Sequence, residues 1–413
     1  MTSTTGREVP ELPIGFSATS MDPTFRADPH AMLDELRSLS PVIKDAVLGR
    51  VLITRADDVE AVLRDRDLFV DPRKAPEGSF QRMLAARRDD RNVTPSMLFL
   101  DPPDHDRLRG LVNKAFTPKS VDRMAPRIQE IADELLDGLE GRDSFDLIGD
   151  FSAPLPTIVI AEMLGVDAAD QKRFKAWSDI IVQGFNPFLP EEQRKAMERA
   201  GNEMNDYLRE AVETRRRDRR DDLITRMIEA EEDGDQLNDD EIVTMVGLLL
   251  AAGNLTTTDL IGNGVHALLT HRDQWEALRD DPALVKNAVE EMLRFDPPVT
   301  QSGRITLKEM EVGGCPVHAG ESITPMLLAA NHDPAANPNP HTFDVRRDEI
   351  RHTSFGGGRR YCLGAPLARL EAQIAVATLV RRLPDLRIAD EELEWRNVPA
   401  FRGLVRLPVE TGA

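Results

Sequence analysis

The sequence predicts a mainly α-helical protein with a smaller strand-rich part. Three observations predict it. Apolar residues keep helical spacing over most of 103–290, a capping box opens one long apolar helix, and the pattern changes after about residue 300 to short strands and turns. With 413 residues the chain is long enough to build a core that encloses a cofactor. Length alone suggests two or three domains. No Gly/Ser-rich or Pro-rich linker divides the middle, so residues 21–413 are expected to form a single domain after a loose polar arm at 1–20.

The elements follow in order. Pro41–Arg55 alternates apolar and polar residues around Gly49-Arg50, which predicts a hairpin. A short helix is expected over Asp57–Asp65. Residues 70–103 carry Pro, Gly, Arg and Asp without a clear period and predict a long surface loop. The helical stretch that follows breaks near Gly141, at Pro187–Pro190 and at Glu231–Asn238, and the run Arg215–Arg220 reads as a solvated helix end. Asn238-Asp-Asp-Glu241 has capping-box spacing and opens a helix to about Thr270, roughly 45–50 Å long. A last helix is expected from Pro366 to about Arg382. No internal repeat is visible.

Composition narrows the function classes. An excess of 72 acidic over 52 basic residues argues against nucleic acid or an anionic membrane as partner. Two cysteines, Cys315 and Cys362, are too few for a disulfide framework and suit a reducing cytoplasm. The first twenty residues lack an apolar core flanked by positive charge, and the longest apolar run, Met245–Ala252, is short for a bilayer, so neither a signal peptide nor a membrane span is expected.

The most informative segment is Phe355-Gly-Gly-Gly-Arg-Arg-Tyr-Cys-Leu-Gly364. It places Cys362 on a glycine-rich loop leading into a helix opened by Ala365-Pro366. Backbone N–H groups of such a loop and the positive end of the helix dipole both favour a thiolate, a good axial ligand for iron. The spacing does not suit a phosphate-cradling loop, since no Gly-Lys-Ser/Thr follows. The bland alternative is a small buried hydrophobe.

In this segment the chain resembles the cytochrome P450 family, whose signature is Phe, two spacers, Gly, spacer, Arg or His, spacer, Cys, spacer, Gly. Phe355, Gly358, Arg360, Cys362 and Gly364 fill every fixed position. The resemblance implies a helical prism that holds haem b between the long central helix and the helix after the cysteine loop, with Cys362 as the iron's axial thiolate. By position, His105, Arg109, Arg304 and Arg360 would pair with the haem propionates, and Phe355, Gly364 and Gly253 would adjoin the cofactor. His105 and Arg109 are spaced i,i+4, on one helical face. Glu291 and Arg294 match the family's Glu-x-x-Arg, to which we assign a structural role.

Leu248-Leu-Leu-Ala-Ala-Gly-Asn-Leu-Thr-Thr-Thr258 matches the oxygen-binding groove, except that Leu255 occupies the position of the usual acid. An apolar side chain cannot relay protons. Thr256 retains its hydroxyl, water ordered by Thr256 and Asn254 is one substitute route, and Asp259 is another. Val93, Met97, Leu248, Ala251, Ala252, Thr300, Ala400 and Phe401 correspond to pocket positions, mostly apolar. Arg82, Arg87, Arg88 and Arg91 leave room for a carboxylate-bearing substrate. The expected protein is a cytoplasmic, monomeric monooxygenase that inserts one atom of dioxygen into an apolar organic substrate. Its electrons would come from a ferredoxin-type donor docking on a basic patch formed by Arg107, Lys114 and Arg359. Two rivals are a same-fold enzyme using peroxide or catalysing a reaction other than monooxygenation, and a non-catalytic haem sensor.

Overall fold

The computed structural model describes residues 9–77, 82, 94–186, 188–232 and 237–412. Its helices are α1 (Pro23–Ala27), α2 (His30–Leu39), α3 (Ala56–Arg64), α4 (Asp104–Asn113), α5 (Pro118–Asp122), α6 (Ala125–Asp137), α7 (Pro154–Leu164), α8 (Gln171–Ile181), α9 (Glu191–Arg217), α10 (Leu223–Glu232), α11 (Asp239–Thr270), α12 (Arg272–Asp280), α13 (Val285–Phe295), α14 (Leu327–Asn331) and α15 (Ala365–Arg382). The strands are β1 (Glu11–Leu12), β2 (Val42–Asp45), β3 (Arg50–Ile53), β4 (Ser144–Asp146), β5 (Arg304–Ile305), β6 (Met310–Val312), β7 (Cys315–Val317), β8 (Ser322–Pro325), β9 (Arg387–Ile388), β10 (Glu394–Trp395), β11 (Leu404–Arg406) and β12 (Pro408–Glu410). The chain forms two compact units: Met1–Val93, Leu293–Cys362 and Arg396–Arg402 make the first, Thr94–Met292, Leu363–Trp395 and Gly403–Ala413 the second.

The first unit is built on a sheet of order β1-β2-β3-β8-β5. Its centre is the expected hairpin, with Val42 opposite Ile53 and Asp45 opposite Arg50. Both hairpin strands are buried almost throughout, because one face packs on Val59, Val62 and Leu63 of α3 and the other on Phe25, Leu33 and Leu36. Arg50 reaches this interior because Asp45 Oδ2 accepts from its Nε at 3.0 Å and Gly15 O from its Nη2 at 3.0 Å. The expectation of a loose arm over 1–20 is corrected from Val9 onward. Glu11–Leu12 pairs in parallel with β2, and Ile14, Ala18, Thr19 and Ser20 are buried. Helix α14 was not foreseen, since a short apolar run reads equally well as a strand.

The second unit is organised around α11, which packs against α7, α8, α9 and α15. Both halves of the capping box form: Asn238 Oδ1 accepts from Glu241 N at 2.9 Å, and Glu241 Oε2 accepts from Asn238 N at 3.2 Å. The helix runs 32 residues, as the capping signal and spacing predict. By length and averaged composition it is apolar enough to cross a membrane, which the search for one unbroken apolar run missed, but most of that apolar window is buried. One reading changes here. Arg215 is no solvated helix end; it is buried between Asp222 and the carbonyl of Gly165. Its neighbour Arg216 is paired with Glu231 and Asp239.

Candidate functional site

In the first unit, the cysteine loop is shaped by glycines at close approaches. Gly356 and Gly358 have φ of +70° and +60°, a region that other residues enter at a cost. A Cβ on Gly358 would lie 2.9 Å from the Arg64 Cα and the Leu63 carbonyl, so the loop rests directly on the end of α3. The Cys362 N–H closes the turn by donating to Phe355 O at 2.8 Å. The Phe355 and Tyr361 rings sit 6.1 Å apart across it. Of the two thiols, Cys315 is buried in the apolar core and Cys362 is exposed. Only Cys362 can offer sulfur to a large planar group.

The base of this loop is tied to Arg294. That guanidinium is fully buried and donates to the carbonyls of Pro340 at 2.7 Å, Thr342 at 3.1 Å and Asn331 at 3.3 Å. Asn331 in turn accepts from Thr353 N at 2.8 Å and donates to Ser354 Oγ at 2.9 Å, just ahead of Phe355. This chain supports the structural role assigned to Arg294. Glu291, one turn earlier on α13, is also fully buried. Arg304 is buried on β5, where its Nη1 donates to Gly303 O at 2.7 Å and Ser302 Oγ at 3.1 Å; Arg360 is half-buried.

In the second unit, α11 is buried on most of its circumference, yet Ala252 is exposed and Thr244, Leu248, Ala251 and Thr256 are half-exposed. At about 100° per residue these positions form one stripe along the helix. It is apolar except for the two threonines, and Thr256 Oγ1 donates back to Ala252 O at 2.8 Å. Sequence reasoning misplaced one residue here. Asn254 lies about 200° round from Ala252, and its Nδ2 donates to Ser178 Oγ on α8 at 3.1 Å, so it faces away from the stripe. A Cβ on Gly253 would meet Ile160 of α7 at 3.1 Å, so the missing side chain lets these two helices pack closely. Asp259 does lie on the same side as Thr256, fully buried with its carboxyl packed on Gly403: a Cβ there would come within 2.1 Å of it. Leu255 is buried.

Glu371 on α15 is an acid that the sequence reading missed. It is fully buried; burial holds its carboxyl well above the usual range, and a hydrogen bond from Thr257 only partly opposes this. Its signal was faint, a single Glu in an apolar helix nine positions after Cys362. Elsewhere in this unit His105 is buried with Nδ1 2.9 Å from Asp106 Oδ1, and Arg109 stands half-buried one turn on. Arg107 is tied to Glu241 at 2.5 Å, which removes it from the expected basic patch. Lys114 in this unit and Arg359 in the first are exposed.

Of the pocket positions, Leu248, Ala251 and Ala252 belong to the stripe, and Met97 is buried. Thr300 is buried too, with its N–H donating to Ala400 O at 3.0 Å, while Phe401 is half-buried. Val93, Arg87, Arg88 and Arg91 lie outside the described residues. Arg82 donates to the carbonyl of Arg73.

A haem fits these residues. An exposed thiol stands on a glycine cradle, and a long helix offers an uncovered apolar stripe ending in a hydroxyl. His105 and Arg109 in the second unit and Arg304 and Arg360 in the first are side chains of the kind that pair with carboxylates. Comparisons with known proteins agree. The family profile described as Cytochrome P450 matches residues 49–386. The chain is 41% identical to Cytochrome P450 107B1 of Saccharopolyspora erythraea, covering 99% of this chain and 100% of that one. It is 40% identical to the Vitamin D(3) 25-hydroxylase of Pseudonocardia autotrophica over 99% and 98% of the two chains. Among solved structures, a myxobacterial cytochrome P450, CYP267B1, in complex with myristic acid superimposes with a TM-score of 0.88 at 39% identity, covering 95% of this chain and 98% of that one. The chain belongs to the cytochrome P450 family and is a haem-dependent monooxygenase with cysteine-thiolate ligation.

Proposed function

We propose that the chain hydroxylates an apolar organic molecule laid along the α11 stripe, with Cys362 as the axial ligand. The carrying observation is that Leu248, Ala251 and Ala252 stay accessible in the middle of a largely buried helix and lead to the Thr256 hydroxyl. An aliphatic surface of this kind binds by excluding water and makes few directional demands. The named hydroxylase relative and the neighbour holding a fatty acid support the same substrate class.

Bound haem supplies the activation of dioxygen for insertion of one oxygen atom into a C–H bond. The chain's part is to hold the sulfur, orient the substrate and manage protons. Gly356 and Gly358 set the loop that presents Cys362, and the Arg294–Asn331 relay braces its base. Ala252 leaves space beside the helix, and Thr256 holds a hydroxyl at the end of the stripe. Burial favours the protonated form of Glu371, which meets α11 at Thr257, next to Thr256. This pair takes over the proton-holding duty that Leu255 cannot perform. Electrons come from a ferredoxin-type protein, for which Arg359 is the exposed cation nearest in sequence to Cys362. The protein works as a cytoplasmic monomer.

The test is a titration with fatty acids, sterols and macrolactones, read by the absorbance shift as a ligand displaces iron-bound water. Apolar compounds should give saturable shifts, and Ala252→Leu, at an exposed position, should weaken them at least tenfold. Shifts produced only by small charged compounds, or unaltered in Ala252→Leu, would reject the stripe as the binding surface. For the donor, Arg359→Glu should slow reduction and flatten its dependence on salt. Reduction indifferent to both would exclude Arg359 from the docking face.

A further inference from the structure

Away from the cysteine loop, the first unit gathers three histidines from distant parts of the chain. His30 opens α2, His332 follows α14 directly, and His341 comes nine residues later. One ring nitrogen of each lies within 4.8 Å of those of the other two. The ring centroids are 4.1 Å apart for His30 and His332, 5.3 Å for His332 and His341, and 5.2 Å for His30 and His341.

The neighbours decide which nitrogens carry hydrogen. His332 Nε2 lies 2.8 Å from the Phe295 carbonyl oxygen, which can only accept, so the hydrogen is on Nε2. His341 Nε2 lies 2.7 Å from Asp34 Oδ2, again an acceptor, so its hydrogen is on Nε2 as well. In neutral rings both Nδ1 atoms then carry lone pairs, and these face each other across 3.3 Å. Such a pair repels unless positive charge lies between them. Nδ1 of His30 is also buried, with no hydrogen-bond partner among the described residues.

We infer that His30, His332 and His341 form a binding site for a divalent transition-metal cation of the Zn²⁺ type. Nitrogens about 2.0–2.1 Å from a tetrahedral ion are roughly 3.3–3.4 Å from one another. The His332–His341 spacing of 3.3 Å has this value already. Closing the third nitrogen takes a shift on the order of 1 Å, within reach of small ring rotations. Imidazole suits zinc, copper and nickel. Donation of the second ring N–H to a carbonyl or carboxylate, as by His332 and His341, is the arrangement that orients metal-binding histidines.

The surroundings are mixed in charge. Asp34, Asp28 and Asp296 bring negative charge; Arg37, which pairs with Asp34, and Arg294 and Arg402 bring positive. His341 is exposed, so an ion enters there and keeps water in the fourth position. The site joins α2 to the residue after Asn331, the amide that orients Thr353 and Ser354 ahead of the cysteine loop. A bound ion would brace that support.

The rival occupant of the gap is a proton on His341 Nδ1 donated to His332. Tag-free, haem-loaded protein is dialysed against a chelator and titrated with zinc sulfate by calorimetry. Saturable binding of a single Zn²⁺ per chain is expected. His341→Ala, at an exposed position, should abolish it, as should His30→Ala, and Asp34→Asn should weaken it by roughly 10–100-fold. Zinc should also raise the melting temperature of the parent and leave that of His341→Ala unchanged. Absence of saturable binding, or binding retained in His341→Ala, would overturn the metal assignment and leave the proton as occupant.

Discussion

The hydroxyl of Thr257 on α11 is hydrogen-bonded to the fully buried carboxyl of Glu371 on α15. Burial raises the Glu371 pKa well above its ordinary 4.5, so the folded state keeps a proton that the unfolded chain releases. Stability contributed by this group therefore falls as pH rises above 4.5 and levels off only above the folded pKa. Glu371→Gln keeps the hydrogen bond without the titration. Denaturant midpoints measured from pH 4.5 to neutrality should fall more steeply in the parent than in the variant. Parallel curves would show that Glu371 is ionised in the fold. The variant should also waste more reducing equivalents if the pair holds a proton for the reaction.

Thr256 and Asn254 are two residues apart and should behave oppositely. Thr256 belongs to the accessible stripe, so Thr256→Ala should lower product formed per electron consumed, and Thr256→Ser should restore it. Asn254→Ala removes the partner of the buried Ser178 hydroxyl and should cost about 1–3 kcal/mol of stability with coupling unchanged. Loss of coupling in Asn254→Ala would return it to the oxygen side.

Arg294 is fully buried and spread over three carbonyls, and Asn331 passes that order to the cysteine loop. Arg294→Met removes the guanidinium that donates to Pro340 O, whereas Asn331 O keeps Asn337 Nδ2 and Thr342 O keeps Arg347 Nη2, so the cost should be about 1–3 kcal/mol. The expected phenotype is low haem occupancy in the carbon-monoxide difference spectrum, with residual holoprotein melting early. Full occupancy and an unchanged melting temperature would refute the relay.

Gly358→Ala tests how closely the loop must lie on α3. The new Cβ combines a left-handed φ of +60° with backbone atoms at 2.9 Å. The conformational cost alone is about 1–2 kcal/mol, and the collision adds to it. Denaturation should show that loss, and the carbon-monoxide complex should shift in spectrum as the sulfur moves. A variant with native stability and spectrum would mean that the loop has slack.

Local chemistry explains which parts were readable in advance. The capping box at Asn238, the hairpin around Gly49 and the proline at the start of α15 act within a few residues, and each appears where expected. The glycines before Cys362 are legible for the same reason, since a positive φ is a property of one residue. The arm at Val9–Ser20 was not, because its polar composition hides that Ile14 and Ala18 have a sheet to pack on. Arg215 was misread likewise: a run of arginines resembles a solvated end until Asp222 supplies a buried partner.

By itself the sequence determined that one cysteine stands on a glycine turn before a helix, and that one long helix carries Ala252 and Thr256 on a common face. Both follow from spacing along the backbone. Only the tertiary structure decided which neighbour each side of that helix meets: Ser178 for Asn254, Ile160 for Gly253, Glu371 for Thr257. It also decided that residues 30, 332 and 341 share one small volume. Contacts between distant segments arise from burying many apolar surfaces at once, and no local pattern records where that packing brings two side chains together.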